Sequence, residues 1–444
     1  MSIPILLLMP SSVASGAQVA AMTGTPAPGL PAGFVADTQF PMILLGDQDT
    51  QSRVSGFAAP EFAAEPQVAI RGFVDAAIED PPQSLGGFQV FADPRIEPFQ
   101  TCIGDRPVGT HDDVAERLDA AGLHELGLDG EGVAIAIVDT GINLVHLRAV
   151  MGRTPRFDAV NSWAPPNADH EAGEWPVGHG TMCAFDALIA APAATLVDVP
   201  VLSAKLPGGG SAMSSTLSAA LLAFSQMLGS WNSGRGNRDL SQYRGLVCSN
   251  SWGIFHPSWD FPAGHPGRYC DNPDHPFMLQ LEAMSRGGID MFFAAGNCGA
   301  DCPDGRCQNR VVEAVMGASA SIDVMSVAGC DVHEERVGYS SQGPGITGLH
   351  QMKPDITAYT HFLGSRAFGD DAPDSGTSAA CPVAAGCMAA IRGRVSPRTP
   401  ATPYMMYDHL RVNALVPPGR TAGWNADYGH GIIRPVPIAS LFPG

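Results

Sequence analysis

Residues 133–143 read VAIAIVDTGIN. Six apolar residues run without a break and end on a carboxylate, Asp139. A strand with one wet face alternates apolar and polar side chains. An unbroken run is what a strand covered on both faces requires, the situation of a parallel strand between two helical layers. Before it, LDGEG (128–132) is a turn, and DVAERLDAAGLHEL (113–126) has apolar residues at helical spacing with Asp112 or Asp113 as its cap. The theme recurs. ATLVDVPVL (194–202), GLVCSNS (245–251), GIDMFFAAGN (288–297) and DVMSVAGC (323–330) read as strands. MSSTLSAALLAFSQML (213–228) and PFMLQLEAMSRG (276–287) read as the helices between them. This alternation predicts an α/β fold over residues 113–444, a doubly wound, mostly parallel sheet with helices on both faces. Ligands of such sheets bind beyond the carboxyl ends of the strands.

Residues 1–100 are patterned differently. Short apolar runs (ILLLM, PMILLG, QVAIRGFV, GFQVFA) alternate with Pro-, Gly- and Ala-rich turns, which predicts a small α+β domain of about four strands. Residues 4–9 read as a buried strand, 11–22 as a helix of small residues, and GFQVFADPRI (87–96) as the last strand. The apolar run 3–9 is short for a secretory leader and no Lys or Arg precedes it, which favours a cytoplasmic chain, with a cleaved leader and secretion as the alternative. The charged, proline-bearing, aperiodic stretch DPRIEPFQTCIGDRPVGTHD (93–112) looks like a linker, assigned to 101–112. No stretch reaches the ~18 apolar residues of a membrane-spanning helix.

The 444 residues carry 25 Lys+Arg against 44 Asp+Glu, a net charge of −19, which argues against nucleic acid or an anionic membrane as partner. Ten cysteines are too few for a disulfide scaffold in this length, and no CxxC pair occurs. Cys298, Cys302 and Cys307 cluster in CGADCPDGRC. They form either a structural disulfide, with Cys270 nearby, or a set of free thiols. Zinc is disfavoured because no His stands at ligand spacing beside them, and HExxH is absent. No DxDxDG-type calcium loop occurs, and His170, Glu171 and Glu174 lack a ligand arrangement.

Three segments carry chemistry. Asp139 ends a buried strand in VAIAIVDTGIN, His179 opens a helix in PVGHGTMCAFDALIAA, and Ser378 opens another in DSGTSAACPVAAG. Singly, each has a bland reading as a turn former, a structural histidine or a turn. Together they supply acid, base and nucleophile, each at an element terminus. Asp371 and Asp374, just before the last segment, either shape the site electrostatically or are solvated turn residues, the second being favoured.

With these residues the chain resembles the subtilisin-like serine peptidases, the subtilases, over about residues 112–440. DTGIN is similar to that family's Asp box, GHGTMCA to its His box and GTSAACPVAAG to its Ser box, with Ala379, Cys381 and Val383 as variants. SNSWG (249–253), AAGN (294–297), YSSQGP (339–344), KPDITA (353–358) and WNADYGHGIIRP (424–435) resemble its intervening and closing segments. The order Asp, His, Asn, Ser is the subtilase order, and no GxSxG elbow occurs.

The resemblance implies a serine endopeptidase that works through an acyl-enzyme. Ser378 would be the nucleophile, His179 its base, Asp139 the group that orients the imidazole, and Asn297 the side-chain oxyanion donor. It implies that Ser251, Trp252 and Gly253, with Ala294, Ala295 and Gly296, pair with an extended peptide and line its first specificity pocket. Trp252 either narrows that pocket or packs in the core. The Pro/Gly-rich insertion 253–276 is either a cleft-edge loop or a solvated loop pinned by Cys270. No cofactor is required. Calcium, common in the family, has no supporting motif. The partner is a protein or peptide substrate, and residues 1–100 stand where the family has a domain that inhibits and chaperones the enzyme. The rivals are a subtilase dedicated to processing or macrocyclising one precursor peptide, and a catalytically silent peptide-binding scaffold.

Overall fold

The computed structural model describes residues 2–16, 30–55, 65–99, 106–166, 168–203, 213, 215–234, 238–395, 401–417 and 419–442. Its centre is a seven-stranded sheet of β8 (Val133–Val138), β9 (Arg156–Phe157), β10 (Thr195–Val199), β12 (Gly245–Asn250), β14 (Asp290–Ala294), β15 (Met325–Cys330) and β16 (Ile356–Tyr359), in the order β16-β15-β14-β12-β8-β10-β9. Every pairing is parallel, as in Ile137 opposite Ser249 and Phe292 opposite Met325. The unbroken apolar run in β8 is explained by its two faces. Val133, Ile135 and Ile137 join the core under helices His179–Ala187 and Thr377–Arg392, while Ala134, Ala136 and Val138 join the core under helices Leu217–Ser233 and Pro276–Arg286.

The helices Thr377–Arg392 and His179–Ala187 lie against each other so closely that a Cβ on Gly386 would meet the carbonyl oxygen of Ala187 at 2.2 Å. The run of Ala and Gly after Ser378 is what permits this approach.

Some elements depart from the sequence reading. The segment 113–126 is two helices, His111–Arg117 and Ala120–Glu125, because Asp119 takes a left-handed conformation and caps the second. Thr110 caps the first, with Asp113 answering in a capping box. Within 213–228 the first two described strand residues, Ser215–Thr216 (β11), pair with another strand before the helix begins at Leu217. Part of the presumed aperiodic stretch is a strand, Arg95–Pro98 (β7).

The N-terminal residues form an antiparallel sheet of β1 (Ser2–Pro10), β2 (Phe34–Ala36), β3 (Ile43–Leu44), β4 (Gln67–Asp75), β5 (Ser84–Leu85) and β6 (Phe88–Ala92), in the order β2-β4-β1-β6-β5 with β3 also on β4. Residues 11–16 are helical; the remainder of the helix expected at 11–22 lies outside the described residues. After Ser2, β1 is apolar because both its faces are covered. Ile5, Leu7 and Met9 face one core, while Leu6 and Leu8 pack into the core that holds helices Leu217–Ser233 and Pro276–Arg286. Polar contacts fix the same seam. Asp93 accepts from Ser218 N–H (2.7 Å) and Ser218 hydroxyl (2.8 Å) at the start of helix Leu217–Ser233, and the His275 Nε2 lies 3.0 Å from Ala92 O. No described helix is long and apolar enough to cross a membrane.

Candidate active site

Asp139 follows directly on β8 and is fully buried. Its Oδ1 accepts from Thr140 N–H at 2.7 Å and from His179 Nδ1 at 2.8 Å. His179 is the first residue of its helix, and the Thr140 hydroxyl anchors that helix by accepting from Gly180 N–H (2.9 Å). A carboxylate on Nδ1 assigns the proton of the neutral ring to that nitrogen. Nε2 is therefore a lone-pair acceptor, and it is buried without a hydrogen-bond partner among the described residues.

Ser378 is the second residue of helix Thr377–Arg392, at the positive end of its dipole. Its hydroxyl donates to Phe99 O (3.0 Å) and Ser251 O (3.2 Å), not to His179. The three-member hydrogen-bonded relay expected from the sequence is thus present at its Asp139–His179 half, and the hydroxyl, a free rotor, has turned to two nearby carbonyls. Asn297 Oδ1 accepts from Thr377 N–H (2.9 Å) and Thr377 hydroxyl (3.0 Å), which aims Nδ2 the other way. A Cβ on Gly376 would lie 2.9 Å from Asn297 Nδ2, 3.2 Å from Phe99 O and 3.3 Å from Ser378 N, so those three groups converge on one small space.

The chain itself fills the cleft. β7 lies between β11 and β13 (Trp252–Gly253), antiparallel to both, with Ile96 opposite Ser215 and Pro98 opposite Trp252. Phe99 N–H then donates to Ser251 O at 3.3 Å. The Phe99 ring is buried, edge-on to Phe255 with centroids 5.0 Å apart. Gly253 leaves room for it: a Cβ there would meet Phe99 Cζ at 2.6 Å. Of the expected peptide-pairing residues, Trp252 and Gly253 pair with β7 and Ser251 receives Phe99. Ala294, Ala295 and Gly296 do not pair; their place is taken by Ser215 and Thr216, and a Cβ on Gly296 would touch the Phe99 ring at 3.7 Å. Ala294 O and Ala295 N are already engaged with Ser319 and Val327. Trp252 belongs to the core, fully buried against Phe277 and Phe293 with its indole N–H on Val138 O (2.9 Å).

The insertion after Gly253 is a packed structure. Asp260 is buried, gathers the N–H groups of Phe261, Tyr269 and Cys270, and is pushed up to about 6 by burial. Ala92 N–H donates to Gly267 O (2.8 Å), so this loop carries the N-terminal sheet. Cys270 does not pin it by a disulfide: it is a free, buried thiol, while Cys298 is bonded to Cys307 and Cys302 is also disulfide-bonded.

Residues 130–431 match the sequence model of the subtilase family, Peptidase S8. The chain belongs to the subtilase family. This subtilase is 30% identical over 156 residues to the membrane-bound transcription factor site-1 protease of Homo sapiens, covering 34% of this chain and 14% of that protein. It is 29% identical over 291 residues to the serine protease AprX of Bacillus subtilis (strain 168), covering 60% of this chain and 58% of that protein. The match thus spans less than two thirds of either relative's own length.

Sequence reasoning missed three features of this subtilase's site. The first is Cys183, one turn after His179, whose Sγ lies 3.8 Å from Asp139 Oδ2 and 3.5 Å from Ser378 O. Among the described residues, Asp139, His179 and Cys183 form the one cluster of three metal-capable side chains. Its mixed O, N and S donors do not suit calcium, which takes six to eight oxygens. Burial also pushes the Cys183 thiol well above its usual value. The second is a buried pair of carboxyls, Asp186 on the His179 helix and Asp374 just before Ser378. Asp374 is not a solvated turn residue; Asp371 is exposed. Burial raises both, Asp186 well above its usual value and Asp374 to about 6, and the two interact directly. The third is Phe99 itself, whose fit to the cleft only topology reveals.

Proposed function

We propose that this subtilase is a serine endopeptidase that hydrolyses peptide bonds through an acyl-enzyme, with Ser378, His179, Asp139 and Asn297 as its catalytic groups. One observation carries the reading. A segment of the chain lies in the cleft as an added strand, and the Ser378 hydroxyl points at the carbonyl of the residue that follows it, Phe99 O. Ser378 Oγ turns its proton toward the free Nε2 of His179 and attacks the Phe99 carbonyl carbon. The imidazolium is stabilised by Asp139, and the developing oxyanion sits in the space shared by Asn297 Nδ2 and Ser378 N–H. Collapse breaks the bond to the Gln100 nitrogen, which leaves with the proton from His179. Water, deprotonated by the same imidazole, then hydrolyses the Phe99 ester.

On this reading residues 1–99 are an intramolecular inhibitor. Its sheet docks on two helices, and its last strand occupies the cleft. The test is intact mass after purification. A Ser378→Ala chain should remain full length, while wild type separates into 1–99 and a chain beginning at Gln100. A wild-type chain that stays whole yet hydrolyses peptides would make the N-terminal sheet a permanent accessory. A whole, folded chain that hydrolyses nothing and resists a fluorophosphonate probe would replace the peptidase reading by the scaffold.

A further inference from the structure

Period-two alternation puts Glu97 and Phe99 on one face of the cleft strand. The two meet a single stacked unit of the catalytic portion. Phe255 receives the Phe99 ring edge-on, and the guanidinium of Arg306 lies over the Phe255 ring at 3.7 Å. From that position Arg306 Nη1 donates to Glu97 Oε2 at 2.6 Å. Glu97 is buried in this arrangement. Its other oxygen meets Arg95, a neighbour on its own strand.

Arg306 is held independently of Glu97. Its Nε and Nη2 donate to the two oxygens of Asp304 at 3.0 and 2.8 Å. The short 3-10 helix Gly305–Cys307 that carries it is closed by the Cys298–Cys307 disulfide and capped by Asp304, which accepts from Arg306 N–H at 2.8 Å. Two nitrogens of the guanidinium are therefore fixed and the third, Nη1, is presented to the cleft. A preorganised fork loses little freedom on receiving a carboxylate, and a carboxylate is the partner that fits it best.

We propose that Arg306 is a specificity-determining residue that selects an acidic side chain two positions before the residue at the scissile bond. The substrate class is then peptides reading acidic–any–aromatic, with one stack reading both side chains. This deepens the peptidase reading above and rests on residues 95–99 standing for a bound substrate.

The test uses the self-processed enzyme freed of residues 1–99 and reporter peptides Ala-Ile-Xaa-Pro-Phe with Xaa Glu, Gln or Lys, in which Ala removes the contribution of Arg95. Glu should exceed Gln in kcat/KM by about tenfold and Lys by more. Arg306→Gln should level the series and Arg306→Glu should invert it. In the full chain, Glu97→Lys should slow self-cleavage, and adding Arg306→Glu should restore it. Equal hydrolysis of the three peptides by wild type overturns the role of Arg306 and leaves the peptidase reading intact. Hydrolysis of none, with an uncleaved chain, overturns both.

Discussion

Gly253→Ala tests the pocket at its narrowest point. The new Cβ would stand 2.6 Å from Phe99 Cζ and 3.4 Å from both Cε atoms, whereas carbon atoms rest at about 3.5–4.0 Å. The ring must withdraw by about 1 Å or more to reach that separation. On one side it meets the Phe255 ring, edge-on with centroids 5.0 Å apart. Withdrawal loses the edge-to-face contact, worth about 0.5–1.5 kcal/mol, and part of the about 1.5–3 kcal/mol of aromatic burial. A total of about 2–3 kcal/mol corresponds to roughly 30- to 150-fold in kcat/KM. The assay is hydrolysis of paired peptides that differ only in Phe or Ala before the scissile bond. The Phe peptide should fall by that factor, and the Ala peptide, whose methyl never reaches the new Cβ, should change by less than about threefold. In the full chain, Gly253→Ala should slow separation after Phe99, and a Phe99→Ala change in the same chain should remove that dependence. A parallel loss for both peptides would mean the substitution distorts β13, and no loss for either would mean that Phe99 does not mark the pocket used by substrates.

Asp139→Asn should leave the fold intact and lower kcat on the order of ten-thousand-fold, because an amide no longer enforces the Nδ1–H tautomer; a loss under tenfold would place the proton-handling elsewhere. Lys353→Met should destabilise the protein by about 3 kcal/mol, since Lys353 and Asp355 are both buried and the Asp355 carboxylate would keep only Arg411 as a charge partner. Urea unfolding of the Ser378→Ala protein would read this, and an unchanged midpoint would refute it. Asp374 makes stability fall as pH rises from 3.8 through about 6. Burial raises Asp374 from 3.8 to about 6, so its contribution to stability is full below the unfolded value and is lost as pH rises through about 6. Asp374→Asn, again in Ser378→Ala, should therefore lose less Tm between pH 4 and 8 than the parent does; parallel Tm curves would show that burial does not hold a proton on Asp374.

The central sheet was legible because burial on both faces writes itself into the chain as unbroken apolar runs. β8, β12, β14 and β15 all lie within the segments so read. β16 was seen only within the family-like segment KPDITA, since its four residues are too few to show a run. The long segment 113–126 misled because its spacing is helical on both sides of Asp119, and a single left-handed residue leaves no trace in hydrophobic period. At the candidate site, Asp139, His179 and Ser378 stand out as chemistry-bearing residues at element ends, and Asn297 comes from the resemblance alone. The partners of those groups were not legible. Phe99 sits 279 residues from Ser378 in the chain, and Arg306 reads as one more loop cation until the fold brings it over Phe255. Asp374 looked solvated because its neighbours are polar and turn-forming; in the fold it is buried, and its two oxygens accept from the N–H and hydroxyl of Ser365.

The arrangement separates two events that a cleft-bound strand would otherwise confuse. Breaking the bond after Phe99 removes none of the contacts that hold β7. The ladders to β11 and β13, the Phe99 and Ile96 side chains and the Glu97–Arg306 pair all lie on the departing side of that bond. The sheet behind them adds its own attachment through Leu6, Leu8 and Phe91 in the helix-facing core and through Asp93 at the start of helix Leu217–Ser233. While that sheet stays folded it keeps β7 near the cleft at the high effective concentration of a linked module. On the proposed reading, chemistry at Ser378 therefore yields a cut but occupied enzyme. Access for other peptides is governed by the stability of a small antiparallel sheet whose second apolar face is covered only while it remains docked.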